Sequence, residues 1–117
     1  MRTALLLLTL AAAPANAQQF GAIAFSERTG AWGWSSGYDS RGEAERRALG
    51  ECVARGGPCV VATWFRDACG ALAKSPDNGW GGEWGNSVSE AQSKAMSRCV
   101  AEGNRGCQVI ESACSWY

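Results

Sequence analysis

Two carboxylates, Asp67 and Glu83, are the side chains in this sequence best suited to acid–base chemistry, because both lie among aromatic and glycine residues. Two carboxyl groups held about 5 to 10 Å apart can support glycoside hydrolysis. The structural alternative is that Asp67, which follows Arg66 in a tight connection, accepts backbone N–H bonds, and that Glu83 points outward from a strand. The sequence contains no histidine, which excludes Ser-His-Asp and Cys-His catalysis and histidine metal ligation. We therefore expect no catalytic residue.

The six cysteines are the second group of reactive side chains. Zinc, iron–sulfur and thioredoxin-like redox sites use cysteines in closely spaced C-x-x-C pairs. Here Cys52 and Cys59 are separated by six intervening residues, and Cys99 and Cys107 by seven. An even number of cysteines in an exported chain favours structural disulfides. The sequence therefore predicts three disulfides, no metal site and no cofactor.

Four of the six tryptophans form two pairs at even spacing, Trp32 with Trp34 and Trp80 with Trp84. Even spacing along a strand places both members of a pair on one face. The glycines around them leave flat backbone, which suits stacking on sugar rings or on an extended peptide. The alternative is that Trp64 and one tryptophan of each pair form the core, because few other large side chains are available. These four residues are the candidate binding surface.

A sequence repeat must position these groups. The segment 40–54 recurs without a gap as 87–101, and the matching positions cap a helix, face a core or carry sulfur. Both copies open with a serine followed three residues later by glutamate, which predicts a capping box. Gly56 and Gly103 mark the ends of the two helices. The sequence therefore predicts two equivalent helices, one in each copy.

Strand patterns surround both helices, so each copy is predicted to be β-β-α-β. The fold class is α+β: a duplicated β-β-α-β unit with about six mainly antiparallel strands, two helices packed on one face and three disulfides. The helix stripes are rich in alanine, so each helix can approach the sheet closely. We expect strand Trp and Phe side chains to fill the space between helix and sheet.

The repeat also suggests how the cysteines pair. Each helix ends at a cysteine and the following strand begins near another, so the parsimonious pairs are Cys52–Cys59 and Cys99–Cys107. This leaves Cys69–Cys114. We expect this third bridge to tie the two copies together and to contribute most to stability, because it closes the longest loop.

Residues 1–17 are predicted to be a signal peptide. Arg2 supplies a positive start, residues 5–13 form an apolar run, and Ala15-Asn-Ala17 provides small residues before the cleavage site. The apolar run is too short to span a bilayer. The sequence therefore predicts export, to the periplasm or the medium.

The remaining chain, residues 18–117, is predicted to be one disulfide-stabilised domain built from two repeats, about 19–66 and 67–117. Without Arg2, ten basic and eleven acidic side chains remain. This near-neutral balance provides no basic field for a nucleic acid and no polybasic patch for a membrane surface.

Several segments together resemble a known family. They are Gly21-Ala-Ile-Ala-Phe-Ser26, Cys59-Val-Val, Trp64-Phe-Arg-Asp-Ala-Cys-Gly-Ala-Leu-Ala73 and Trp80-Gly-Gly-Glu-Trp-Gly85. They are similar to secreted bacterial domains of unknown function, the DUF4189 family, and the third segment is the most specific. The resemblance covers essentially all of residues 18–117. It implies a small exported bacterial domain and carries over no catalytic residue.

We therefore expect an exported, non-catalytic interaction module that binds a protein or a cell-envelope glycan. The first alternative is an inhibitor or neutralising partner of a secreted enzyme, because rigid disulfide-clipped loops lower the ordering cost of binding. A carboxylate-dependent hydrolase acting on envelope glycans is the weaker alternative.

Overall fold

The computed structural model describes residues 18–116, so the predicted signal peptide at 1–17 lies outside the described residues. The elements, in chain order, are β1 (Phe20–Phe25), β2 (Trp32–Tyr38), α1 (Arg41–Gly56), β3 (Val60–Arg66), β4 (Cys69–Lys74), β5 (Trp80–Gly85), α2 (Val88–Ala101) and β6 (Gln108–Cys114). The α+β class, the duplicated β-β-α-β unit and the six antiparallel strands are confirmed.

The predicted caps begin both helices. The Ser40 hydroxyl accepts a hydrogen bond from the Glu43 backbone N–H at 3.2 Å, and Ser87 accepts one from Glu90 at the same distance. These bonds satisfy backbone donors that the first turn of a helix leaves without partners. Local sequence therefore fixes where each helix starts.

The six strands form two three-stranded sheets, with the orders β2-β1-β3 and β5-β4-β6. Each central strand is apolar on both faces. In β1, Ala22 and Ala24 alternate with Ile23 and Phe25, and all four side chains are fully buried. Such a sheet needs a cover on both sides. Each sheet has its own helix on one face and the other sheet on the opposite face, which gives four layers, α-β-β-α. The expectation that both helices pack on one face is therefore wrong, because the sheets divide and cover each other between the helices.

The layers between helix and sheet contain mostly small side chains. Ala44, Ala48 and Cys52 of α1 pack with Ala22 and Ala24 of β1. The second copy repeats this layer with alanines and cysteines of α2, β4 and β6. The helix and the backbone of its sheet therefore lie close together in both copies.

The large side chains lie mainly between the two sheets. Ile23, Phe25, Phe65 and Leu72 are buried there, with Trp32 and other residues packed against them. The expectation that strand aromatics fill the space between helix and sheet is therefore wrong for most of them. Phe20, Tyr38 and Trp64 are the exceptions, since all three pack against the α1 layer. The alanine layer is too thin for an indole, so the larger rings occupy the opposite face of each sheet.

The structure forms the disulfides Cys52–Cys59, Cys69–Cys114 and Cys99–Cys107. The expectation that Cys69–Cys114 ties the two copies together is wrong. The two residues are directly opposed on β4 and β6, neighbouring strands of the second sheet. This bridge therefore lies within the second repeat, and every disulfide is internal to one copy.

Two tryptophan side chains connect the copies instead. Trp32 of β2 donates its indole N–H to Glu111 of β6 at 3.0 Å. Trp80 of β5 donates to Glu27, which follows β1, at 2.7 Å. Each copy thus supplies one indole donor and one carboxylate acceptor to the other, and a hydrogen bond to a charged acceptor is stronger than one between neutral groups.

The thin helix–sheet layer gives a stability prediction. A Cβ at Gly33 would lie 2.5 Å from the backbone nitrogen of Cys52, so α1 and β2 must separate to accept it. We expect Gly33→Ala to lower the free energy of unfolding by about 1 to 3 kcal/mol, as overpacking does. Urea denaturation would measure it.

Gly50 provides the matched control. It lies on the exposed side of α1, and a Cβ there meets no atom within 4 Å. Gly50→Ala should raise the free energy of unfolding by about 0.5 to 1 kcal/mol, because alanine loses less entropy in a helix. Equal stability of the Gly33→Ala variant and the parent would contradict the close-approach account.

Candidate functional site

The structure divides the four candidate tryptophans into two groups. Trp32 and Trp80 are partly buried between the sheets, where their indole N–H groups are hydrogen-bonded. Trp34 and Trp84 are 38% and 47% exposed. Each pair therefore contributes one core residue and one surface residue, and the candidate surface reduces to Trp34 and Trp84.

Strand position explains this division. β2 and β5 are edge strands of their sheets, and Gly33 and Gly81 on them point at the helices. The tryptophans at alternating positions must therefore take the opposite face. Trp32 is part of the inter-sheet core and Trp34 lies two residues further along β2, at the margin of that layer.

Trp84 borders a cleft between β5 and β3, which are one edge strand of each sheet. The cleft has a volume of about 410 Å³ and includes Thr63, Trp64 and Arg66 of β3 in its lining. Lys94 of α2 lies 4.9 Å from the centre of the Trp84 ring, within range for a cation–π contact. The cleft therefore combines an indole surface with cationic groups.

A carboxylate completes this cleft. Glu83 precedes Trp84 and points to the helix side of β5, where it pairs with Arg98 of α2 at 3.4 Å. Both members of the ion pair line the cleft. A guanidinium presents donors and a carboxylate presents acceptors, so the pair offers both to a ligand.

The cleft continues along β5 into a second space of about 450 Å³ near Trp80. The two spaces share Ala62, Gly82 and Arg98 in their linings. A Cβ at Gly82 would lie 2.7 Å from the Ala62 carbonyl oxygen, so the backbones of β3 and β5 are in contact there. The floor of the cleft is therefore closed by backbone.

Trp34 borders a smaller depression on the other copy. This depression has a volume of about 210 Å³ and is also lined by Tyr38 of β2 and by Arg47 and Glu51 of α1. Arg47 and Glu51 form an i,i+4 ion pair at 2.8 Å. The depression thus places an exposed indole and a phenol beside a paired guanidinium and carboxylate.

The structure places the two candidate acid–base residues apart. The Asp67 carboxylate accepts the Gln19 backbone N–H at 3.0 Å, and the Asp67 N–H donates to the Gln19 carbonyl at 2.9 Å. Glu83 is opposed to Ala71, four residues beyond Asp67. Asp67 lies in the turn before β4 begins at Cys69, and it is not among the residues that line the cleft around Glu83. This separation does not favour joint action on one glycosidic bond.

Asp77 lies in the β4–β5 turn, and its pKa is lowered. The Ser75 hydroxyl donates to its carboxylate and lowers the pKa below the ordinary value of 3.8, and backbone N–H groups and the nearby Lys74 charge act in the same direction. Its side chain is exposed and hydrogen-bonded within the turn, so its contribution is to turn stability.

Within residues 18–116, His, Cys, Asp and Glu side chains form no cluster of three or more that could hold a metal ion. Over the same residues, neither helix is long and apolar enough to cross a membrane.

Sequence reasoning missed the ion pairs beside the exposed indoles. Arg47–Glu51 is visible as an i,i+4 pair on a predicted helix. The Glu83–Arg98 pair joins a strand to a helix, so the sequence pattern that could have predicted it is weaker.

Trp64, which the sequence suggested as a core residue, packs on Phe20 and has the Arg41 guanidinium 4.3 Å from its ring centre.

Comparison with known proteins identifies one family. A family model described as a domain of unknown function, DUF4189, matches residues 20–114, from the first strand to the last. No curated protein and no solved structure matches the chain.

The tryptophan division predicts a quenching result. With acrylamide as quencher, we expect the parent protein to show a protected and an accessible class of tryptophan emission. Trp34→Phe and Trp84→Phe should each reduce the accessible fraction, because each removes an exposed indole. Trp80→Phe, which removes an indole packed between the sheets, should not reduce it. Uniform protection of the folded parent would contradict this division.

The Asp77 environment predicts an acid-dependent loss of stability. A carboxylate whose pKa is lowered by folding stabilises the folded state above its ordinary pKa of 3.8, and this contribution disappears as the pH falls through the lower folded value. The stability advantage of the parent over Asp77→Asn should therefore be larger at about pH 6 than at about pH 2.5. Urea denaturation at both pH values would measure it, and an unchanged difference would contradict the assignment.

Proposed function

The chain belongs to the DUF4189 family, and we propose that it is an exported, non-catalytic binding module whose partner is a protein or a glycan of the cell envelope. The proposal rests on one observation. Trp34 and Trp84 remain 38% and 47% exposed on a small domain whose core is otherwise built from alanine, cysteine and a few large side chains. Exposed indoles are typical of binding surfaces, because they bring large contact areas at low conformational cost.

The protein scaffold supports a binding role. Trp34 and Trp84 lie on strands, and each strand is backed by a helix that a disulfide joins to the residue just before the next strand. A surface held in this way loses little conformational entropy when it binds a partner. The surface is therefore preorganised in the free protein.

The chemistry of the chain supports a non-catalytic role. The sequence has no histidine, and the two best-placed carboxylates are engaged in structural contacts at separate places. Asp67 holds Gln19, which precedes β1, against the β3–β4 connection, while Glu83 pairs with Arg98. Neither carboxylate is therefore left for shared acid–base work.

The predicted signal peptide and the disulfides support export. Three disulfides in a small domain fit an oxidising compartment such as the periplasm or the medium. An inhibitor of a secreted enzyme would use the same kind of rigid surface, with an enzyme as the partner.

Co-sedimentation with bacterial cell envelopes tests this function. The full chain, expressed with its leader and purified in the oxidised state, should pellet with isolated envelopes. Trp34→Ala and Trp84→Ala should each reduce the pelleted fraction, because each removes an exposed contact surface. Trp116→Ala is the matched control, since Trp116 is 49% exposed and lines neither the cleft nor the depression.

Three results would contradict the proposal. The first is retention on envelopes that neither Trp34→Ala nor Trp84→Ala reduces, and the second is no retention at all. The third is release of soluble sugar fragments that Asp67→Asn or Glu83→Gln abolishes, which would favour the hydrolase.

A further inference from the structure

Each copy of the repeat carries an exposed tryptophan beside an acid–base ion pair. In the first copy, Trp34 borders a depression that also contains Arg47 and Glu51, paired at 2.8 Å. In the second copy, Trp84 borders a cleft that also contains Glu83 and Arg98, paired at 3.4 Å. In both cases an edge strand supplies the indole, and the helix of the same copy supplies a charged partner.

Inheritance from an ancestral unit does not by itself explain this likeness. The repeat spacing of 47 residues aligns Glu51 with Arg98, so equivalent helix positions carry opposite charges. Trp34 opposes Ile23 on β1, whereas the matching Leu72 on β4 opposes Gly82. Trp34 is therefore equivalent to Gly82 and not to Trp84. The two copies reach the same combination with different residues, which indicates a shared requirement for it.

We propose that the depression and the cleft are two glycan-binding sites, each taking a short stretch of a neutral or weakly charged polysaccharide. This inference rests on the proposed function and names its partner. The apolar C–H face of a sugar ring matches the indole surface, while its hydroxyl groups donate to the carboxylate and accept from the guanidinium. The ion pair offers both kinds of partner without leaving either charge unpaired.

Electrostatics favours a glycan of low charge over a polyanion. The depression contains one cation and one anion, which balance. The cleft contains Arg66 and the Glu83–Arg98 pair, and Lys94 lies beside the Trp84 ring. The adjoining space adds the carboxylates of Glu27 and Glu102, so three cations face three anions along the whole cleft. Electrostatic recognition of a polyanion needs a cluster of cations instead.

The backbone geometry disfavours an added peptide strand in the cleft. A peptide that extends a sheet needs a free strand edge for continuous backbone hydrogen bonds. Here the Ala62 carbonyl of β3 is packed against Gly82 of β5, so the middle of the β5 edge is covered. A ligand in this cleft meets side chains, namely the Trp84 indole and the adjacent ion pair.

Two-dimensional NMR of the indole N–H groups tests both sites separately. The probes are soluble tetrasaccharides of glucose and of N-acetylglucosamine, and peptidoglycan fragments released by a muramidase. Titration should shift the Trp34 and Trp84 signals, which substitution of each residue assigns. The Trp32 and Trp80 signals should stay in place, because their N–H groups are bonded to Glu111 and Glu27.

Stoichiometry provides the second readout. Calorimetry should give two sites on the parent and on Trp116→Ala, one site on Trp34→Ala and on Trp84→Ala, and none on the double variant. Because two linked sites on one polymer act with avidity, each single variant should also bind envelopes at least about 10-fold more weakly. Glu51→Gln and Arg98→Gln, which disrupt the ion pairs and keep both indoles, should weaken the corresponding site.

The outcomes separate this inference from the proposed function. Absence of binding to all the probes, or binding that leaves both exposed indole signals unshifted, would overturn the glycan assignment. If envelope retention then depended on Trp34 and Trp84 and disappeared after protease treatment of the envelopes, the partner would be a protein and the proposed function would stand. A single site on the parent would overturn the duplicated-site inference.

Discussion

The close approach of each helix to its own sheet is the constraint on which the rest of this structure depends. Gly33 and Gly81 lie where any Cβ would meet the backbone of the facing helix. Alanines on the helices face alanines on the central strands, so this layer has no room for most of the large side chains. Those side chains lie on the opposite face of each sheet, where exposure of so much apolar surface to water would destabilise the fold. The two copies therefore bury each other, and the duplication is a condition of stability.

Burial of the sheets against each other sets the roles of the polar residues. The Trp32 indole N–H is partly buried and needs an acceptor, because an unsatisfied donor there destabilises the fold, whereas the Trp80 N–H bonds at the exposed margin of the layer. Trp32 and Trp80 find acceptors in Glu111 and Glu27, each from the other copy. These bonds can form only when the sheets are in the correct register. They therefore specify the pairing of the copies, while the disulfides stabilise each copy internally.

Local features of this fold were predictable from the sequence, and features that depend on packing between distant elements were not. The serine–glutamate caps and the strand alternation act over a few residues, so the helices and strands follow directly from them. The division into two sheets depends on how both faces of β1 and β4 are covered. The apolar residues on both faces of β1, from Ala22 to Phe25, indicate that both faces are buried. Only the assembled structure shows that a helix covers one face and the other sheet covers the second. The same limit applies to the tryptophans. Even spacing predicts which face of a strand carries them, but it does not predict how deeply each side chain is buried.

Stability does not account for the exposed indoles. The second copy has Gly82 where the first has Trp34, and strand, helix and disulfide form around both residues. The strand geometry therefore has no need of an indole at that position. An indole that half faces water contributes less burial than one in the core, and it adds a surface prone to association. The proposed binding role would give such an indole a contact outside the chain. The ion pairs fit the same proposal, since exposed pairs contribute little to stability, yet one adjoins each of these indoles.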